Sequence, residues 1–166
     1  RFIDTDLLIQ EQEGKLLREI IAEKGEEGFL EIENQVNASV KASNSVISPG
    51  GSVIYCQEAM KHYKKIGTIV YLKASYQTIK RRIKNPKKRG VVLKEGQSLR
   101  DLYYERVPYF EKYADITICE DGCRIEDTIK NVLNAVKKYR KTAQKRTEKR
   151  TEFRKKLDNT PKSKLK

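Results

Sequence analysis

The sequence predicts an α/β fold of three layers, with a mainly parallel sheet between flanking helices. Three observations predict it. Short β-branched runs (RFID, SVIS, GTIVYL, DITIC) alternate with longer segments whose apolar residues recur at helical spacing. The clearest run, Gly67 to Leu72, is continuously apolar instead of alternating, as in a strand covered on both faces. The connections between runs are long enough to hold a crossover helix, which parallel strands require.

Each element follows in order. RFID is the end of a strand. From about Asp6 to Lys24, Leu7, Leu8, Leu16, Leu17, Ile20 and Ile21 mark a helical pattern, and Gly14 divides it into two pieces. A further helix is predicted from about Glu26 to Ala42, with Phe29, Ile32, Val36 and Val40 on one face. SVIS is a short strand ended by Pro49-Gly50-Gly51. Gln57 to Lys65 reads as a short polar helix, followed by the GTIVYL strand and the amphipathic SYQTIKRRIKN. NPKKRGVVLKEGQ is a basic, glycine-bearing loop. SLRDLYYERVPYFEKYA is predicted helical up to a break near Pro108, then helical again. DITIC is the last strand, and a closing helix carries Ile125, Ile129, Val132, Leu133 and Val136.

Length and charge bound the function. A chain of 166 residues can bury a sizeable core as one domain. Its net charge is +13, but the charge is unevenly placed. From Lys137 onward there are 14 Lys and Arg against 3 Asp and Glu, which leaves 22 against 20 in the rest. The body is therefore near neutral, and residues 139–166 form a basic tail too poor in apolar side chains to pack. It reads as a solvated helical extension fraying into disorder. Phosphate attraction could act there, but without a folded binding motif specific nucleic-acid recognition is not expected. No apolar run is long enough for a membrane span. Cys56, Cys119 and Cys123 lack the paired spacing of a zinc site and read as reduced thiols, which points to the cytoplasm. His62, the only histidine, is placed on a surface helix. A Ser-His-Asp triad or a histidine metal cluster therefore has little to draw on.

In open parallel sheets, ligands bind beyond the carboxyl ends of the strands. Asp4, Asp6 and Pro49-Gly50-Gly51 all fall there. If the backbone stays extended, Asp4 and Asp6 share a side. Paired carboxylates at a strand end suit a magnesium ion held partly through water, or the removal of a hydroxyl proton. Equally, Asp6 could cap the next helix while Asp4 is merely solvated. The glycines allow close approach to backbone N–H groups, or simply make a turn. Arg89, in the basic loop, could close over phosphate or be an ordinary surface charge. Arg106, beside Tyr109 and Phe110, could fork onto a carboxylate or pair with Glu105 or Glu111.

Six stretches, FIDTD, GEEGFLEIE, VISPGGSVI, GTIVYL, the Arg89-Gly90 lid with ERVPYF, and YADITI, resemble shikimate kinase in order and spacing, from Arg1 to about Lys138. The resemblance implies a small P-loop kinase fold and γ-phosphoryl transfer from ATP to a hydroxyl of shikimate, with Mg²⁺, in aromatic amino-acid biosynthesis. It implies that Asp4 helps hold magnesium through water, and that Asp6 binds substrate hydroxyls and acts as base. It implies that Gly50 and Gly51 line the substrate, that Arg89 reaches ATP, and that Arg106 grips the substrate carboxylate. A monomer with a small-molecule partner is expected.

Three departures accompany the resemblance. The family's Gly-x-x-Gly-x-Gly-Lys-[Ser/Thr] loop is absent from these residues and would lie upstream of FIDTD. Leu30 stands where the family has a substrate-binding arginine, which leaves open a related kinase for another small metabolite. Ser52 stands where a third glycine is usual. In the family, the first strand lies between the SVIS and GTIVYL strands. The expectation is therefore an incomplete domain over residues 1–138, with a gap of ~9–10 Å in its sheet. Buried unpaired backbone groups at that gap would cost about 1–3 kcal/mol each, against a net domain stability of about 5–15 kcal/mol. On that basis the chain alone is expected to be poorly stable or rearranged, and inactive. A non-catalytic binding module using the basic tail is the remaining alternative.

Overall fold

The computed structural model describes residues 1–83, 94 and 96–158, without the side chains of residues 147, 150 and 153–158. Residues Arg1–Gly122 form one compact unit and Cys123–Lys166 a second.

In the first unit, β1 (Phe2–Asp4) leads directly into α1 (Thr5–Glu13). The chain turns at once because Asp4 is the N-cap: its side chain accepts a hydrogen bond from the Asp6 N–H at 3.0 Å. Gly14 ends α1 in the left-handed region at φ 65°, where glycine has no Cβ penalty. Next, α2 (Leu17–Ser39) is bent at Gly25, with φ 71°. The Gly14 division falls where the sequence placed it, and the second interruption sits at Gly25. Then come β2 (Val46–Ser48), a 3₁₀ turn over Val53–Tyr55 and α3 (Gln57–Ile66).

The remaining elements of this unit are β3 (Val70–Lys73), α4 (Tyr76–Arg82), α5 (Leu99–Tyr113) and β4 (Ile116–Cys119). Helix α5 opens with a capping box: Ser98 Oγ accepts from the Asp101 N–H, and the Asp101 side chain reaches back to Ser98. It contains Pro108 as an interior residue, so the predicted break does not occur. Packing on the rest of the unit holds the helix through the one hydrogen bond that proline removes. The Tyr71–Phe110 ring stack at 5.0 Å is part of that packing.

The strands form two parallel pairs, β1 with β2 and β3 with β4, and the described strands do not join into one sheet. The first register sets Phe2 beside Val46, Ile3 beside Ile47 and Asp4 beside Ser48. β3 is only partly covered, and Leu72 is exposed. The expectation that GTIVYL is buried on both faces is thus not met: Val70 and Tyr71 are only partly buried and the Leu72 face is open.

Two apolar clusters support the carboxyl-end rim. One joins Ile9 and Ile20 of α1 and α2 to Phe29 and Val36. The other joins Val40 and Val53 to Cys56, Ala59, Met60 and Tyr63. α3 is therefore amphipathic rather than simply polar, burying Ala59, Met60 and Tyr63. His62 is half-buried, with Nε2 2.7 Å from the Val40 carbonyl, so it ties α3 to the end of α2 instead of standing on the surface.

In the second unit, α6 (Ile125–Asp158) is a single helix that continues past Lys138. Ile125, Ile129 and Leu133 are exposed along one stripe of it. No helix among the described residues is long and apolar enough to cross a membrane.

Candidate functional site

The parallel register that sets Asp4 beside Ser48 fixes where the next residues go. Both chains leave the sheet at the same end, one into α1 with Asp6, the other into Pro49-Gly50-Gly51-Ser52. Gly50 is where they meet. A Cβ added there would lie 3.0 Å from Asp6 Oδ1 and 3.0 Å from Glu33 Oε1, so any side chain at this position would displace both carboxyls. A Cβ on Gly51 would lie 3.3 Å from an Nη of Arg106. Two adjacent glycines thus bring an aspartate, a glutamate and an arginine together from three helices.

The electrostatics of the cluster follow from burial. Asp6 is half-buried, and its pKa is raised, first by desolvation and then by the charge of Asp4. Glu33 is fully buried at 0% exposure, and desolvation lifts it from 4.5 to about 7. Its environment partly offsets that cost. Ser52 Oγ donates to Glu33 Oε1 at 3.0 Å, and Cys56 Sγ lies 3.8 Å from Oε2 as a thiol donor. The carboxylate in turn adds to the burial that pushes Cys56 up to about 12, so the thiol is not a nucleophile at neutral pH.

Arg106 reaches this cluster from α5. Its guanidinium carbon sits 5.7 Å above the Tyr55 ring. The Tyr55 hydroxyl donates to Glu105 at 2.6 Å, and Glu105 also accepts from Gln97 at 2.7 Å. Lys73 takes Glu111 at 2.7 Å. The bland reading of Arg106, a salt bridge to Glu105 or Glu111, is therefore not what forms: both glutamates are held elsewhere, and Arg106 is in none of the ion pairs among the described residues. Its Nε is buried without a hydrogen-bond partner. Buried donors in folded proteins are nearly always satisfied, so an unpaired one asks what completes it.

Of the predicted site residues, the structure brings together Asp6, Gly50, Gly51 and Arg106. Asp4 is one hydrogen bond away, through the Asp6 N–H. It does not share a strand face with Asp6, because the backbone leaves the extended region at Thr5. Arg89 lies outside the described residues. The cap of α1 is Asp4, not Asp6. Sequence reasoning missed Glu33 and Ser52. A signal for Glu33 was present: it stands four residues after Phe29 and three before Val36, on the stripe that α2 buries. Leu30 packs against the cluster around Val40 and Met60, an apolar residue serving the core. A separate hollow of about 360 Å³ lies at the other end of the β1–β2 pair, lined by Arg1, Lys41, Ala42, Ser43 and Ser45, and holds none of these carboxyls.

The shikimate kinase family model matches residues 1–137. A shikimate kinase of Chlorobium chlorochromatii is 32% identical over 152 residues, covering 85% of this chain and 80% of that protein. The crystal structure of shikimate kinase from Aquifex aeolicus superposes with a TM-score of 0.68 at 28% identity, covering 82% of this chain and 80% of that one. Shikimate kinase from Acinetobacter baumannii in complex with shikimate gives a TM-score of 0.61 at 31% identity, covering 71% and 68%.

Proposed function

Because the chain belongs to the shikimate kinase family, we propose that Asp6, Gly50, Gly51 and Arg106 form the pocket that holds the phosphoryl acceptor. Shikimate kinases are phosphotransferases of the shikimate pathway, and this chain is one of them by sequence and by fold. The observation that carries the pocket reading is Arg106. Its Nε is buried and unpartnered and an Nη faces the exposed Gly51, so a ligand carboxylate forking onto the guanidinium would supply the missing acceptor.

Asp6 accepts the hydrogen bond of the acceptor hydroxyl and takes its proton as that oxygen attacks the γ-phosphorus of ATP and the bond to the β,γ-bridging oxygen breaks, releasing ADP. Burial and the charge of Asp4 make it a stronger base than an ordinary aspartate. Gly50 and Gly51 admit the ligand ring to the backbone, where a side chain would exclude it. Arg89 is the arginine assigned to ATP.

Asp4 is assigned to magnesium. Its Oδ1 is occupied as the helix cap, which leaves Oδ2. No group of three or more His, Cys, Asp or Glu gathers as a metal site among the described residues. Asp4 therefore fits magnesium only as a single carboxylate acting through water, the mode in which this hydrated ion is usually held. Magnesium, when bound, neutralises charge on the transferring phosphates. The described residues include no glycine-rich lysine loop, so no phosphate contact is assigned to them. Residues 1–138 are assigned to the kinase function and 139–166 to a basic extension. A cytoplasmic monomer acting on a small hydroxy acid completes the reading.

Calorimetric titration with shikimate tests it. Arg106→Ala is expected to weaken binding about 10- to 100-fold, the worth of a hydrogen bond to a charged group. Equal affinity in the two proteins would remove Arg106 from the pocket.

A further inference from the structure

The Arg106 guanidinium and the Glu33 carboxyl lie within electrostatic reach of each other, yet they form no ion pair. A guanidinium whose Nε is buried and unsatisfied, and a buried carboxyl at the neighbouring glycine, should close on each other unless something holds them apart. The structure shows what holds Glu33. Ser52 Oγ donates to Oε1 at 3.0 Å, and the Cys56 thiol faces Oε2 at 3.8 Å. Ser52 is well placed for this, because it opens the 3₁₀ turn over Val53–Tyr55 that follows the two glycines. The Gly50 backbone fills the space beside Glu33 Oε1. Asp6, the other carboxyl at Gly50, leaves by its own helix and cannot substitute as a tether.

We propose that Ser52 is a positioning residue that holds the Glu33 carboxyl off Arg106 and so keeps the guanidinium available to the carboxylate of the acceptor. The proposal rests on the acceptor-pocket reading for its ligand, and on the ligand-free geometry for the tether. Without the hydroxyl, Glu33 Oε1 loses its donor, and Arg106, whose Nε–H is buried without a partner, is the cation at the same pair of glycines. Glu33 then occupies the place the ligand carboxylate needs. Only a side chain with a hydroxyl at this position does the work, so Thr can replace Ser and Ala cannot. The groups that face Glu33 all enter the test: Asp6 from α1, Arg106 from α5, Ser52 and Cys56 from the segment after β2, and Tyr63 from α3.

The experiment is a double-mutant cycle read in two ways. In calorimetric titration with shikimate, Ser52→Ala is expected to weaken binding about tenfold in the otherwise native chain. It should change binding less than about twofold in a Glu33→Gln background, because a neutral amide does not neutralise Arg106. Ser52→Thr should bind as the native chain does. The second readout needs no ligand. In nitrogen-15 NMR, the Arg106 Nε–H resonance should move downfield in Ser52→Ala, as a new carboxylate hydrogen bond forms, and stay put in the Ser52→Ala/Glu33→Gln pair. A loss of affinity that is the same in both backgrounds, or an unmoved Arg106 resonance in Ser52→Ala, overturns the proposal. If shikimate binds neither the native chain nor its variants, the acceptor-pocket reading fails, and the Arg106 resonance still decides the tether.

Discussion

Replacing Glu33 by Gln should make the protein more stable at alkaline pH and leave it unchanged at acid pH. Glu33 is fully buried, and its carboxyl titrates at about 7 in the folded chain against an ordinary 4.5. The folded state therefore binds the proton more tightly than the unfolded state does. Below about pH 4.5 both states are protonated, and burial costs no ionisation energy. Between 4.5 and 7 the unfolded chain releases the proton and the folded chain keeps it, so stability falls as pH rises. Above about 7 the folded chain must carry a buried carboxylate. The difference between the two plateaus is about 3 kcal/mol. Gln keeps the shape and an oxygen that accepts from Ser52, so most of that cost disappears in the variant. Thermal melting followed by circular dichroism at several values between pH 4 and 8 reads the effect. The two proteins should melt together near pH 4, and Glu33→Gln should melt about 4–12 °C higher at pH 8. Parallel melting curves across this range would refute the reasoning, because they would mean that Glu33 is ionised and solvated in the folded state.

Other consequences follow from the same site and its supports. Asp4→Asn should keep the cap of α1 and the stability of the chain, since Asn caps as well as Asp, while Asp4→Ala should cost about 1 kcal/mol. If Asp4 also serves magnesium, both variants should lower the magnesium response measured by calorimetry; an unchanged response in both would leave Asp4 a cap only. Tyr63→Phe removes the donor that Asn37 Oδ1 receives at 2.5 Å in a buried setting, and should cost about 1–3 kcal/mol in melting experiments. A cost near zero would mean that water or a rearranged amide satisfies Asn37. Because β2 and β3 each pair on one side only among the described strands, and Phe2, Val46 and Leu72 are exposed, the 166-residue chain should melt below about 50 °C, the low end for ordinary domains. A cooperative transition well above that would contradict it.

The order of elements was legible because apolar spacing survives in each helix and β-branched runs mark each strand. Ile20, Phe29, Val36 and Val40 are buried at the spacing the sequence shows, whereas Leu7 and Leu16 of the same pattern are exposed and Ile9 is buried instead. What was not legible depends on groups that act against their local preference. Glu33 and Asn37 are polar, so a reading by hydropathy places them outward, yet α2 buries both at 0% exposure. Their partners, Ser52 and Tyr63, come from distant parts of the chain. The aspartate pair was read with the right residues and the wrong local geometry. A strand reading gave Asp4 and Asp6 a common side, but the Asp4 cap starts the helix at once. Pro108 was read as a break because an isolated helix would break there, whereas α5 is held by its packing. Arg106 was legible as a residue type in an aromatic setting. That its neighbouring glutamates are already engaged became visible only in three dimensions.

The central claim is that Asp6, Gly50, Gly51 and Arg106 receive one small anionic ligand at the carboxyl end of the β1–β2 pair. Titrating the nitrogen-15-labelled chain with shikimate tests it most directly. The account predicts that the Gly50 and Gly51 amides and the Arg106 Nε–H shift together along one saturating curve, and that Arg106→Ala abolishes it. Shifts confined to other surfaces, such as the hollow lined by Arg1 and Lys41, or none at these groups at saturating shikimate, would contradict it.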